Sequence, residues 1–197
     1  MTDWTSLRYA VVDVEGNGQQ PPDLVELAVV PIVSGQIQEP ASWLVKPERP
    51  IKHFATRIHG ITTEDVAEAP NFESIAGEVL ASLDVPALIA HNAHVDIGVL
   101  QRELPGWQPP EVFDTLELAR RLLPDQPGYK LGMLVRALKL AEGLPDNLTP
   151  HRATYDALVT ARLFVRLATV AEGPPLTLQA LRGESCARSG HDTPSLF

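Results

Sequence analysis

The sequence predicts an α/β fold: a mixed β-sheet, built from an antiparallel three-strand meander followed by parallel strands, with helices packed on it. Three observations lead there. Residues 9–14 and 24–33 are dense in β-branched and aliphatic side chains and are separated by turn residues, the pattern of paired strands. Further along, Phe72, Ile75, Val79, Leu80 and Leu83 recur at helical spacing. Between helical stretches lies Ala87-Leu88-Ile89-Ala90, a short apolar run suited to a central strand covered on both faces. The order β-β-β-α-β-α-β-α-α fits one layered domain.

Each element has a local cause. Gly16, Asn17 and Gly18, then Pro21-Pro22, end the first strand in a loop. Ser34-Gly35 turns the second strand back into a third, expected over residues 36–45, and Pro31 marks an edge or a bulge in the second. Lys46-Pro47-Glu48-Arg49-Pro50 reads as a stiff basic connection. Thr62 or Thr63 is placed to cap a short helix beginning at Glu64-Asp65. His91-Asn92 leads into a helix carrying Val95, Val99 and Leu100, and Val112-Phe113 reads as one more short strand. Helices are expected over 115–123 and 131–140, split by Pro124 and Pro127-Gly128. A long one is expected over 149–171, with Pro150 in its first turn. Residues 1–171 are expected to form the domain. Residues 172–197 would be a tail with a short helix near 176–182.

Composition narrows the function classes. With 197 residues, 44% of them hydrophobic, the chain supports a single sizeable core. A formal net charge of −9 excludes general electrostatic attraction to nucleic acid or anionic membranes, so any such binding must be local. One cysteine, Cys186, excludes an internal disulfide. The start of the chain carries no basic region followed by an apolar run, and no window is apolar enough to span a bilayer. A soluble cytoplasmic protein is the expectation.

The chemistry begins at Val11-Val12-Asp13-Val14-Glu15-Gly16. Side chains alternate on a strand, so Asp13 and Glu15 share a face, and two like charges there call for a cation between them. Hard carboxylate oxygens suit Mg²⁺ or Mn²⁺. Two further stretches can contribute: Ala90-His91-Asn92-Ala93-His94-Val95-Asp96 at a strand end, and His151-Arg152-Ala153-Thr154-Tyr155-Asp156 at a helix start. Taken alone, Asp96 is equally a helix-end charge, His151 a surface residue, and His59 a structural turn residue or a substrate contact.

Together, the strand Asp-x-Glu, the strand–Asn-x-x-x-Asp helix and the His-x4-Asp helix resemble the DEDDh family of 3′-5′ exonucleases. Its fold is ribonuclease H-like and is seen in the polymerase III epsilon subunit. The resemblance runs from Arg8 to Ala168 and takes in Val25-Glu26-Leu27-Ala28 and Ile58-His59-Gly60-Ile61-Thr62. Leu44-Val45-Lys46-Pro47-Glu48-Arg49-Pro50-Ile51, with His151-Arg152-Ala153, looks most like the exodeoxyribonuclease X branch. Two departures stand out: Gly16-Asn17-Gly18 replaces the family's Thr-Thr-Gly, and Val95 replaces a usual Phe.

The resemblance implies two Mg²⁺ or Mn²⁺ ions, roughly 3.5–4 Å apart, held by Asp13, Glu15, Asp96 and Asp156, with Asp13 bridging. His151 would be the general base, a role suited to a side chain type whose ordinary pKa is about 6.5. Gly16, Asn17, His59, Asn92, Arg49 and Lys52 are the implied substrate contacts. Lys46, Arg49, Lys52, His53 and Arg57 would guide the phosphate backbone, with Arg120-Arg121, Lys130 and Arg136 as a second basic cluster. The implied substrate is a nucleic acid with a single-stranded 3′ end, DNA favoured over RNA. The implied product is a nucleoside 5′-monophosphate. RNA or short oligonucleotides, and a non-catalytic nucleic-acid-binding module, are the competing readings. Thr193-Pro194-Ser195-Leu196-Phe197 is similar to the final residues of bacterial sliding-clamp-binding peptides, which implies a clamp or polymerase partner. The sequence sets no oligomeric state.

Overall fold

A computed structural model describes residues 3–169 and 176–183. Cys186 and the Thr193–197 motif lie outside them. Six strands form one sheet: β1 (Tyr9–Gly16), β2 (Leu24–Val33), β3 (Gln36–Ile37), β4 (Ala41–Leu44), β5 (Ala87–Ala90) and β6 (Glu111–Asp114). Their order is β3-β2-β1-β5-β6, with β4 also paired to β2. β1 is antiparallel to β2 and parallel to β5, which is parallel to β6. The helices are α1 (His53–His59), α2 (Phe72–Ser82), α3 (His94–Glu103), α4 (Thr115–Leu122), α5 (Leu131–Leu138), α6 (Ala153–Ala168) and α7 (Leu178–Arg182). This is the expected mixed sheet with helices packed on it.

Strand alternation divides the core. Tyr9 and Val11 on β1, with Ala28, Val30 and Ile32 on β2, face α4, α5 and α6. Ala10 and Val12, with Leu27 and Val29, face α2 and α3. A bulge at the far end of the β1–β2 pair leaves Val25 between Glu15↔Glu26 and Gly16↔Leu24. Val25 then packs with Ile51, Ala55, Ile61 and Val66, which seats α1 beside the tip of β1.

Four expectations are corrected. The third strand is two strands, because Glu39-Pro40 interrupts it: β3 pairs with Val33 and Ile32, and β4 with residues 26–29 of β2. Pro31 sits opposite that interruption, where its carbonyl accepts from Gln38 and its missing N–H leaves nothing unpaired. Residues 63–68 form turns rather than a helix, although the Thr62 hydroxyl does accept from the Asp65 N–H at 3.2 Å in a capping turn. The helix of that region is α1 instead, in the stretch read as connection and turn. Finally, α6 begins at Ala153, not at 149. Pro150 precedes it, and His151 adopts a left-handed backbone, φ 64°.

Leu178 and Leu181 of α7 enter the same cluster as Trp4 and Tyr9, and Thr177 bridges to Asp3. Phe164, fully buried on α6, contacts the rings of Trp4, Tyr9 and Phe113. Phe164→Ala should therefore destabilise the fold by about 3–5 kcal/mol in urea unfolding. A loss under about 1 kcal/mol would show that this cluster does not organise the core.

Candidate active site

The tip of β1 gathers the predicted carboxylates by three separate routes. Asp13 and Glu15 lie on the β1 face that α6 covers, in register with Ala28 and Glu26. Asp156 stands in the first turn of α6, where a negative charge suits the helix N-terminus. Asp96 stands in the first turn of α3 and arrives from the other side of the sheet. Its Oδ1 accepts from the Val14 N–H at 3.0 Å, which ties α3 to β1 within the acidic motif.

Both helix starts are fixed by carboxylates that the sequence reading did not single out. Asp114, at the end of β6, accepts from Asn92 N at 2.9 Å, Ala93 N at 3.0 Å and Leu116 N at 2.8 Å. One side chain thereby caps α3 and α4 together. Glu26 does the same for α6. It accepts from Ala153 N at 2.9 Å and from the Arg152 guanidinium at 2.6 and 3.0 Å. The signal for Glu26 was a charged residue inside an otherwise apolar strand, costly to bury without a partner.

The electrostatics are those of an anion cluster short of positive charge. Burial pushes Asp13 well up from the ordinary carboxyl range, with Asp96, Asp156 and Glu15 adding repulsion. Burial, then Asp156 and Glu26, raise Glu15 to about 8. Asp96 is raised by burial to about 7, despite the Val14 N–H, and Asp156 by burial to about 6, despite His151 nearby. Arg152 is committed to Glu26. Ligand atoms of Glu15, His151 and Asp156 lie within 4.8 Å of one another. Oxygen donors that repel one another beside an imidazole fit a hard divalent cation, so the donor set passes the test its chemistry poses. His151 itself is exposed at the edge of the cluster.

The expected substrate contacts divide. Asn17 is fully buried and belongs to the loop. Its amide donates to Asp23 at 2.7 Å and to the Arg49 carbonyl at 3.1 Å, and its Oδ1 accepts from Gln19 N and Asp23 N. The Arg49 guanidinium forks onto Asp23 and so braces the same loop, with its side chain 42% exposed. His59 is buried. Its Nδ1 accepts from Ile61 N at 3.0 Å, which leaves Nε2 to donate to the Gly16 carbonyl at 3.3 Å. Asn17, Arg49 and His59 thus all make hydrogen bonds within the protein that hold the loop and α1 together. Gly16 is held close: a Cβ there would meet Pro22 Cβ at 3.0 Å. Lys52 is exposed at the start of α1. Asn92 has a left-handed backbone, φ 66°, and its side chain makes no hydrogen bond among the described residues. What the sequence reading missed is the apolar face of α1: Phe54 and Ile58 are 47% and 52% exposed, one turn apart. Gly18, at φ 74°, lies against Phe54, and a Cβ there would come within 2.7 Å of its ring.

The model of the exonuclease family, RNase_T, matches residues 10–164, and the chain belongs to that family. Among curated relatives, 3'-5' exonuclease DinG of Bacillus subtilis (strain 168) is 38% identical over 89% of this chain but only 19% of its own. Exodeoxyribonuclease 10 of Escherichia coli (strain K12) is 39% identical over 79% of this chain and 66% of its own. Among solved structures, Exonuclease X in complex with 5′-overhanging duplex DNA matches with a TM-score of 0.71 and 33% identity. That match covers 88% of this chain and 98% of the other.

Two predictions arise here. All four carboxyls have folded pKa values above their unfolded ones, so their stabilising effect is complete below about pH 4 and is lost as pH rises through about 6 to 8. Metal-free protein should melt at progressively lower temperature across that window, and Mg²⁺ should restore stability most at its upper end. A flat metal-free profile would contradict the clustering. Separately, Asn17→Ala should cost about 1–3 kcal/mol, because it strands buried partners in the loop, and a neutral effect in thermal unfolding would refute that role.

Proposed function

We propose that this domain is a 3′-5′ exonuclease that hydrolyses the terminal phosphodiester at 3′ ends of DNA and releases nucleoside 5′-monophosphates. The observation that carries the reading is the convergence of Asp13, Glu15, Asp96 and Asp156 at one strand tip, with exposed His151 at its edge. The relatives' names, a 3'-5' exonuclease and an exodeoxyribonuclease, support both the direction and the choice of DNA.

Asp13, Glu15, Asp96 and Asp156 would hold two Mg²⁺ or Mn²⁺ ions. Such ions, when bound, polarise phosphoryl oxygens and make a water more acidic. His151 accepts the proton of the attacking water at a ring nitrogen. The water oxygen bonds to phosphorus, the bond from phosphorus to the leaving 3′ oxygen breaks, and solvent reprotonates that oxygen. Phe54 and Ile58 offer an apolar surface beside the Gly16–18 loop for the terminal base, and Asn92 offers an amide. Lys52 at the start of α1 and Arg57 on it supply local positive charge for the phosphates behind it.

The test uses 5′-labelled and 3′-labelled DNA and RNA, single-stranded and duplex, with Mg²⁺, Mn²⁺ or EDTA. Stepwise shortening from the 3′ end, abolished by EDTA, is expected, with at least about 10³-fold loss in Asp13→Ala. Activity that survives EDTA or Asp13→Ala overturns the metal reading. Preferential cleavage of RNA overturns the DNA assignment, and binding without hydrolysis points to a non-catalytic module. His151→Ala should keep Mn²⁺ affinity and lose about 10²–10⁴-fold in kcat. Lost Mn²⁺ affinity would make His151 a ligand instead.

A further inference from the structure

Glu26 is a buried carboxylate beside the cluster that the proposed chemistry leaves unused. It stands directly across from Glu15 on the neighbouring strand and is only 4% exposed. Its position suggests a fifth ligand, but its oxygens are already taken. Oε1 accepts from Arg152, and Oε2 accepts from both Arg152 and the Ala153 N–H.

We propose that Glu26 and Arg152 form a positioning pair that aims His151 at the carboxylate cluster; the inference rests on the exonuclease reading above. His151 needs such support. Its backbone is left-handed, a conformation that a non-glycine residue keeps only when its surroundings impose it. Its ring makes no hydrogen bond among the described residues, so its place depends on the backbone that carries it and on the Asp156 charge nearby. That backbone is pinned from two sides. Its own N–H donates to Asp156 Oδ2 at 3.1 Å, and the next two residues are fixed to Glu26. The Asp156 contact also joins the proposed base to a proposed ligand, so movement of one shifts the other.

The fork geometry matters as much as the charge. Arg152 donates through both Nε and a terminal nitrogen, which fixes the rotation of its side chain as well as its distance. A lysine there would keep the charge and lose the fork. Glutamine at position 26 would keep an acceptor for Ala153 while disrupting the paired contact, so it perturbs the aim with the least risk to the fold.

The experiment compares full-length wild type, Glu26→Gln, Arg152→Lys, Arg152→Ala and the Glu26→Gln/Arg152→Ala double variant on a 5′-labelled single-stranded DNA with Mg²⁺. Glu26→Gln and Arg152→Ala should lose on the order of 10²-fold in kcat with KM little changed, as displacement of a reacting group predicts. Arg152→Lys should recover part of that loss. The double variant should be no slower than the slower single one, because both changes disable one device. Mn²⁺ binding should be unchanged throughout, and circular dichroism should show the variants folded. Wild-type kcat in folded Glu26→Gln and Arg152→Ala overturns the inference. So does a raised KM with kcat kept, which would make Arg152 a grip on phosphate, or lost Mn²⁺ binding, which would make Glu26 a ligand. Multiplying losses in the double variant also overturn it. A wild type inactive on every nucleic acid defeats the exonuclease reading and this inference together, whereas active wild type with unimpaired variants defeats this inference alone.

Discussion

The structure depends on holding mutually repelling carboxylates at the end of one strand. Asp13 and Glu15 are fixed by β1, which neighbours pair on both sides and helices cover on both faces. Asp96 and Asp156 come from helices on opposite faces, so the cluster closes only where the sheet and both layers meet. Such an arrangement is unfavourable for the protein alone, and the fold resists its spreading apart through backbone bonds. Val14 N holds Asp96, and Asp114 and Glu26 satisfy the amides at the helix starts. The remaining repulsion is what would give a cation affinity there.

Around this rigid centre, the neighbouring elements split into parts that stay internal and parts left for a ligand. The Gly16–18 loop spends its polar groups on itself, through Asn17, Asp23 and Arg49. α1 is the neighbour that presents unspent surface, apolar at Phe54 and Ile58 and basic at Lys52 and Arg57. His59 holds α1 to the Gly16 carbonyl, so this surface keeps its place relative to the acidic tip.

Much of the fold was legible because its signals are local. β2 and β5 match the apolar runs that marked them, and the motif order placed Asp13, Glu15, Asp96 and Asp156 at strand ends and helix starts. What was illegible depends on pairing across long sequence distances. Glu26 meets Arg152 over 126 positions, and Asp114 caps a helix whose start lies upstream of it. α1 was hidden because its apolar residues face outward, so it lacks the buried periodicity that announces a helix. The start of α6 was misplaced because Pro150 is a good first-turn residue in isolation. The internal bonds of Asn17 were illegible because a polar residue between two glycines near an acidic motif looks available for a ligand, and only the folded loop shows its side-chain atoms paired.

The most direct measurement of the central claim is the binding of Mn²⁺ followed by electron paramagnetic resonance, in wild type and in Asp13→Asn, with and without a nucleoside 5′-monophosphate. The account predicts protein-bound Mn²⁺ in wild type, strengthened by the nucleotide and lost or severely weakened in Asp13→Asn. Equal Mn²⁺ binding by the two proteins, or none by wild type, would contradict it.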